Sequence, residues 1–308
     1  MNPISEPQEN RPILPEVVPA SSAESTALPA RVRTPSPYRQ LLSRVDTTLA
    51  LAFLCLVLII AIFAPLIAPY DPTAQDLDNG LLTPNSSHWL GTDGLGRDVL
   101  SRMMYSGRTS LYAAAIAVLV GMTLGVLPGI IAGYVGGWFD VVAMRVADAV
   151  LSFPPIILAM AVLGALGPNL VNAMLAIGAI LAPRFTRLMR GVVMSVRQET
   201  FISVSQSIGA PAPRIIVRHI VPNIFGPLVV QIGVFIGIAM LAEAGLSFLG
   251  LGIQPPQASW GSMLGRSFQS IYESPLLAVW PGLAIAGTVL AFNVCADSLR
   301  DSMADRRR

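Results

Sequence analysis

The chain has no lysine, only two histidines and two cysteines, and few charged residues of any kind. Without lysine it cannot carry the Gly-x-x-x-x-Gly-Lys-Ser/Thr loop that binds nucleotide phosphates. Both cysteines, Cys55 and Cys295, lie in apolar runs. We therefore expect them to act as small hydrophobic side chains rather than as part of a disulfide framework or a metal site. The histidines, His88 and His219, stand alone, and no nucleophile–base pair stands out. We therefore expect neither a catalytic centre nor a bound metal or cofactor.

What the chain has instead is long apolar runs. It is 53% hydrophobic and 12% charged, with a mean hydropathy of +0.63. Soluble domains average about 25% charged residues, so this composition indicates a membrane protein. Residues 1–45 are rich in Pro, Ser, Glu and Ala without a hydrophobic period, which predicts a disordered tail.

The apolar runs predict an all-α fold with six membrane-spanning helices. The third helix must be kinked or interrupted at Phe153-Pro154-Pro155. The uncharged stretch 149–183 is too long for one span, so we divide it into a hairpin. The six predicted spans cover residues 47–70, 109–139, 140–163, 170–183, 224–242 and 275–296.

Within the second run, Gly121, Gly125, Gly129 and Gly133 recur every four residues. This spacing places small residues on one helix face, where a neighbouring helix can approach closely.

The arginines orient the six spans. Four of the twenty, Arg97, Arg102, Arg108 and Arg266, fall on one side, and the other sixteen fall on the side of the termini. The positive-inside rule makes that side cytoplasmic and residues 71–108 external. The predicted organisation is a cytoplasmic tail (1–45), a first span with an external segment (46–106), a transmembrane domain (107–300) and a basic tail (301–308). The net charge of +2 says little by itself, and we expect no nucleic-acid partner.

Between the fourth and fifth spans lies an amphipathic stretch, here called the 199–223 segment. Its residues Phe201, Val204 and Ile208 have helical spacing, and Gly209 with Pro211 ends that helix. A second short helix follows and closes at Pro222. The pattern predicts a helix–turn–helix on the cytoplasmic side that can transmit force to a soluble partner.

Two further groups of charged residues are candidate sites. The external pairs Asp93–Arg97 and Asp98–Arg102 are four residues apart, as on an exposed helix. They are candidates for docking an external protein, and intrachain pairing is the alternative. Glu243 interrupts an uncharged run, so it either lines a translocation path or is an interfacial acid hydrogen-bonded to nearby backbone.

The stretch from Ser203 to Pro222 resembles the cytoplasmic loop of bacterial ABC importer permeases. That loop has the pattern Glu-Ala-Ala, three residues, Gly, nine residues, Ile, one residue, Leu-Pro. The positions of Gly209 and Pro222 fit, whereas Ser203, Val204 and Ser205 stand in place of Glu-Ala-Ala. Residues 88–102, 148–154, 243–261 and 292–301 resemble segments of the C-type permease of dipeptide and oligopeptide importers.

The resemblance covers residues 47–305 and implies a type I ABC importer permease fold in the bacterial cytoplasmic membrane. It implies a second, homologous permease subunit, two ATP-binding subunits that hydrolyse the ATP, and an extracytoplasmic binding protein. The chain itself is then not an enzyme. The implied cargo is a di- or oligopeptide, and nickel or glutathione are alternatives because related systems share these motifs.

The resemblance also assigns the 199–223 segment to coupling with the ATP-binding subunits. The residues that it implicates are Phe201, Ser203, Val204, Ser205, Ile208, Gly209, Arg214, Arg218 and Pro222. A secondary transporter is a less favoured alternative, since it would normally show repeated halves and ionisable residues at the midplane. A membrane anchor would suit the glycine stripe but not this segment.

Overall fold

A computed structural model of the protein describes residues 44–304, where regular structure is helical apart from one bridge between Thr92 and Asp98. The prediction of an all-α fold is confirmed. Nearly all of the predicted tail 1–45, and the last four residues of the tail 301–308, lie outside the described residues. The helices are α1 (Val45–Ile67), α2 (Val99–Val135), α3 (Gly137–Leu151), α4 (Pro155–Leu166), α5 (Leu170–Arg197), α6 (Thr200–Ser207), α7 (Ala212–Ile215), α8 (Val221–Phe248), α9 (Trp260–Gln269) and α10 (Leu276–Ala304).

Within residues 44–304, four helices are long and apolar enough to cross a membrane: α1, α2, the continuous helix Ala212–Phe248 and α10. The pair α3–α4 passes the same test but is bent by 88°, at the predicted proline break. The helix α5 does not pass, because its arginines begin at Arg184 and reduce its mean hydropathy. Composition therefore supports four spans, or five with the bent pair, and the count of six stays a prediction.

The helix α2 begins at Val99 rather than at the predicted Thr109. Asp98 explains the early start, because its side chain accepts a hydrogen bond from the backbone N–H of Ser101 at 2.8 Å and caps the helix. At about 1.5 Å per residue the helix is longer than the hydrocarbon layer of about 30 Å. Its ends therefore extend beyond the apolar layer.

The predicted glycine stripe forms the contact between α2 and α5. A Cβ atom on Gly125 would lie 2.2 Å from the carbonyl oxygen of Ala182, and one on Gly129 would lie 2.6 Å from that of Thr186. The Thr186 hydroxyl donates to the Gly125 carbonyl at 3.1 Å. The prediction of close approach is confirmed, because two helix backbones touch where a side chain would keep them apart.

Two ion pairs attach α3 to the second half of α5. Asp140 pairs with Arg190, whose Nη2 lies 2.6 Å from Oδ2, and Asp148 pairs with Arg187. Arg145 and Asp148 are three residues apart, a spacing that predicts an ion pair within α3. That prediction is wrong, because the guanidinium of Arg187 reaches Asp148 from the neighbouring helix. The first half of the bent α3–α4 pair is thus attached to α5.

The helices α1 and α10 pack together at the edge of the bundle. The Thr47 hydroxyl donates to that of Ser298 at 2.9 Å, and Arg44 pairs with Asp301 at 2.7 Å. Most apolar side chains of α1 are exposed in the isolated chain, as expected of a helix that faces lipid.

We predict that Gly125→Ala destabilises the protein, because its methyl group overlaps the backbone of α5. Overpacking of this kind typically costs about 1–3 kcal/mol. Thermal unfolding in detergent, followed by size-exclusion fluorescence, measures the effect. The matched control is Gly164→Ala in α4, where a Cβ would meet nothing within 4 Å. Equal melting temperatures for the two variants would contradict the packing account.

Candidate functional site

The 199–223 segment has the predicted first helix and turn, but the prediction that its second helix closes at Pro222 is wrong, because that helix continues through a π-helical turn into α8. The helix α6 ends at Ser207, and the turn after it contains Gly209, which has a φ of +76° and donates its backbone N–H to the carbonyl of Gln206 at 2.9 Å. Nothing lies within 4 Å of where a Gly209 Cβ would be. Glycine is therefore favoured here by the left-handed backbone, and not by lack of space.

The buried face of this segment is fixed to the bundle. Ile202, Ile215 and Ile220 are almost fully buried and pack in one cluster with residues of α5 and α8, among them Met189 and Ile224. Sequence reasoning missed Ile202 and Ile215. Their signal was an isoleucine next to one exposed residue in each helix, Ile202 beside Phe201 and Ile215 beside Arg214.

The exposed face carries the residues predicted to dock a partner. Phe201, Val204 and Ile208 are 42%, 55% and 78% exposed. An apolar row that points away from the core of its own chain has the character of a protein-binding surface. The predicted face is present, and Val217 extends it at 68% exposure.

Cations and hydroxyls surround this apolar row. Arg214 and Arg218 are exposed, and neither guanidinium group has a hydrogen bond or ion pair with residues 44–304. The Ser205 hydroxyl donates to the Phe201 carbonyl at 2.8 Å, whereas Ser203 is exposed. Pro222 lies in the first turn of α8, after a π-helical turn at Ile216–Ile220.

The candidate Glu243 is buried between three helices, with only 2% exposure. The Ser247 hydroxyl donates to its carboxyl group at 2.6 Å, and the side chains of Ser110 in α2 and Ser259 before α9 lie close to the same carboxyl group. Its partners are thus serine side chains rather than the backbone groups predicted for an interfacial acid. These contacts suit a structural role for Glu243, and lining of a path stays a prediction.

The start of α9 lies at the same junction. The Trp260 N–H donates to the Ser110 hydroxyl at 3.1 Å, and its indole N–H donates to the Met103 carbonyl at 3.0 Å. A Cβ on Gly261 would lie 2.4 Å from the Ala244 Cα. The Glu243 network therefore holds α9 in close contact with α2 and α8.

The external pair Asp93–Arg97 forms as predicted, but within a turn rather than a helix. The Asp93 carboxylate lies 2.7 Å from the Arg97 guanidinium and also accepts from the backbone N–H groups of Leu95 and Arg97. Arg102 lies 3.4 Å from the same carboxylate and donates to the Pro72 carbonyl at 2.9 Å. One carboxylate thus serves two guanidinium groups.

The predicted pair Asp98–Arg102 is wrong. Asp98 is occupied by the cap of α2 and by His88, whose Nδ1 lies 2.9 Å from its Oδ1. The spacing of four residues is real, but Arg102 turns towards Asp93. Arg97, Asp98 and Arg102 are all buried, so these charges serve the fold of the external segment.

Comparison with known proteins agrees with this arrangement. Residues 125–308 match the family described as binding-protein-dependent transport system inner membrane component, and residues 48–84 match the N-terminal TM domain of oligopeptide transport permease C. The chain belongs to this permease family. It is therefore a membrane-embedded permease subunit of an ABC importer rather than a secondary transporter.

The relatives of this permease include several glutathione transport system permease proteins, GsiD. Those of Shigella flexneri serotype 5b and of Escherichia coli strain UTI89 are 44% and 42% identical to it over 278 residues. Each alignment covers 89% of this chain and 92% of the relative. The likeness therefore extends over nearly the whole permease.

We predict that Glu243→Ala destabilises the permease, because the Ser247 hydroxyl loses its acceptor and a buried cavity opens beside Ser110 and Ser259. Lost hydrogen bonds to a carboxyl group cost about 1–3 kcal/mol. Glu243→Gln keeps an acceptor and should melt close to the wild type. Glu273→Ala, on an exposed loop residue, is the control. A stable Glu243→Ala variant with impaired uptake would instead indicate a role in the path.

Proposed function

We propose that this chain is one of two permease subunits whose partner ATP-binding subunits bind the 199–223 segment from the cytoplasm. One observation carries the proposal: the segment exposes an apolar row beside unpaired guanidinium groups, while its other face is fixed to the bundle. A partner with an apolar groove and acidic rim would complement both features. Hydrolysis of ATP belongs to those partners.

The anchoring of the segment supports a mechanical coupling. Ile202 lies against the end of α5, and Ile220 lies at the start of α8. When the ATP-binding subunits close, a displacement of the segment moves both helices together. The α2–α5 contact carries this movement into the bundle, and a cavity between the two permease subunits then changes the side that it faces.

We assign both termini and the 199–223 segment to the cytoplasm, and residues 71–108 to the outside. The excess of arginines on the terminal side supports this orientation. Asp93, Arg97, Asp98 and Arg102 then shape the external segment. We assign docking of the binding protein to the exposed surface that these four residues support.

We propose a small peptide as cargo, with glutathione as the first compound to test. The names of the relatives support this choice. In such importers the binding protein makes most of the selection, and the permease receives what it delivers.

We predict that Ile208→Asp prevents the ATP-binding subunits from co-purifying with the permease. Ile208 is the most exposed member of the apolar row. A carboxylate at this position would lose its hydration when the partner docks without gaining a hydrogen bond in return, which disfavours binding. Leu77→Asp is the control, because Leu77 is 72% exposed in the external segment. Retention of the ATP-binding subunits by Ile208→Asp would overturn the proposed docking face.

We also predict that Gly209→Val uncouples transport from hydrolysis. A β-branched residue disfavours the left-handed backbone at this turn, and a left-handed residue costs about 1–2 kcal/mol even without branching. The measurement is cargo taken up per ATP hydrolysed in proteoliposomes. Gly250→Val is a close control, since Gly250 has a φ of +77° and equally open surroundings. Equal ratios in both variants would contradict the coupling role.

A further inference from the structure

All four arginines assigned to the external side line one pair of adjoining cavities. The first, of about 630 Å³, is bordered by Arg97, Arg102 and Arg266, and the second, of about 550 Å³, by Arg102 and Arg108. The two share Thr73 as well as Arg102. The recess lies between the external segment, the loop before α9 and α9 itself.

The charges in this recess do not balance. Among residues 44–304, Asp93 is the one acidic residue that lines it, against four guanidinium groups. Asp93 already pairs with Arg97 and Arg102. The guanidinium groups of Arg266 and Arg108 have no hydrogen bond or ion pair within that part of the chain.

Burial makes the unbalanced charge costly. The side chains of Arg97 and Arg102 are 7% and 3% exposed. Burial, with the positive charge of Arg97, lowers the pKa of Arg266, and Asp93 opposes this shift only in part. Arg266 is half-buried beside these two guanidinium groups. A cation partly removed from water without a partner of its own is unfavourable, so an anion in the recess would relieve the repulsion.

We propose that this recess binds a carboxylate group of the cargo on the outer side of the permease, with Arg266 as its principal ligand. The inference rests on the proposed function, because it takes a peptide as cargo. Guanidinium groups suit carboxylates, since two parallel N–H groups match the two oxygens.

The volume and the lining residues of the recess favour a small molecule over the acidic side chain of a docked protein. Its volume lies within the range of about 300–1,000 Å³ that is usual for small-ligand sites. Gln75, Gln269 and Ser270 also line the larger cavity, and their neutral polar groups can hydrogen-bond to peptide amides.

Calorimetric titration of the purified full-length permease with reduced glutathione tests the proposal. We expect binding that Arg266→Gln weakens by about tenfold or more, since hydrogen bonds to charged groups are the strong ones. Arg266→Lys should retain part of it, and Arg145→Gln, at an exposed arginine of α3, should bind as the wild type does. The melting temperature of Arg266→Gln should be unchanged, because no protein partner is lost.

Three outcomes would overturn the proposal. One is absence of binding at millimolar peptide, and another is equal binding by wild type and Arg266→Gln. The third is equal binding of a control ligand. Equal binding of inorganic phosphate would indicate a general anion site, and equal binding of the peptide with both carboxyl groups amidated would indicate a site that does not recognise carboxylates.

Reconstitution with the partner subunits distinguishes cargo binding in the recess from docking of the binding protein. Arg266→Gln should raise the KM for cargo while leaving unchanged the concentration of binding protein that half-saturates ATP hydrolysis. The reverse result would assign the recess to protein docking and overturn the proposal. If wild-type proteoliposomes show no ATP-dependent uptake although the permease binds the peptide, the proposed function fails and the recess stands.

Discussion

The close contact between α2 and α5 is the constraint on which the rest of this permease depends. Glycines on α2 bring its backbone against the carbonyl groups of α5, at distances that exclude any Cβ atom. Because α5 leads directly into the 199–223 segment, we expect a displacement of that segment to reach α2 through backbone contacts rather than through flexible side chains. The ion pairs from Arg187 and Arg190 add α3 to the same unit.

Features governed by local chemistry could be predicted from the sequence. The glycine period, the break at Phe153-Pro154-Pro155 and the turn at Gly209 each depend on residues adjacent along one helix or turn. Partner choices could not be predicted, because spacing alone does not distinguish a helix cap from an ion pair. Asp98 has the spacing of a partner for Arg102, yet it caps α2. The burial of Glu243 depends on contacts with Ser110 and Ser259, which are distant in the sequence. Composition alone does not decide whether α5 crosses the membrane, because its arginines lower its mean hydropathy.

The two ends of the permease carry exposed or unbalanced charge for different reasons. On the assigned cytoplasmic side, Arg214 and Arg218 flank an apolar row on a protruding surface, which suits a large protein partner. On the assigned outer side, Arg266 lies in a recess beside buried guanidinium groups, which suits a small anion. Between these ends the helices carry few charges, so interaction with cargo in the bundle would be weak and release would be easy.

The central claim is that the 199–223 segment and α5 move as one body when the partner subunits bind ATP. Pulsed electron paramagnetic resonance tests it most directly, with Cys55 and Cys295 replaced by serine and spin labels placed at Ser207 and Leu175. In the assembled importer, the distance between these two labels should stay constant through the ATP cycle. The distance from Ser207 to the corresponding loop of the second permease should shorten on ATP binding. A change within the chain, with no change between the two permeases, would contradict the account.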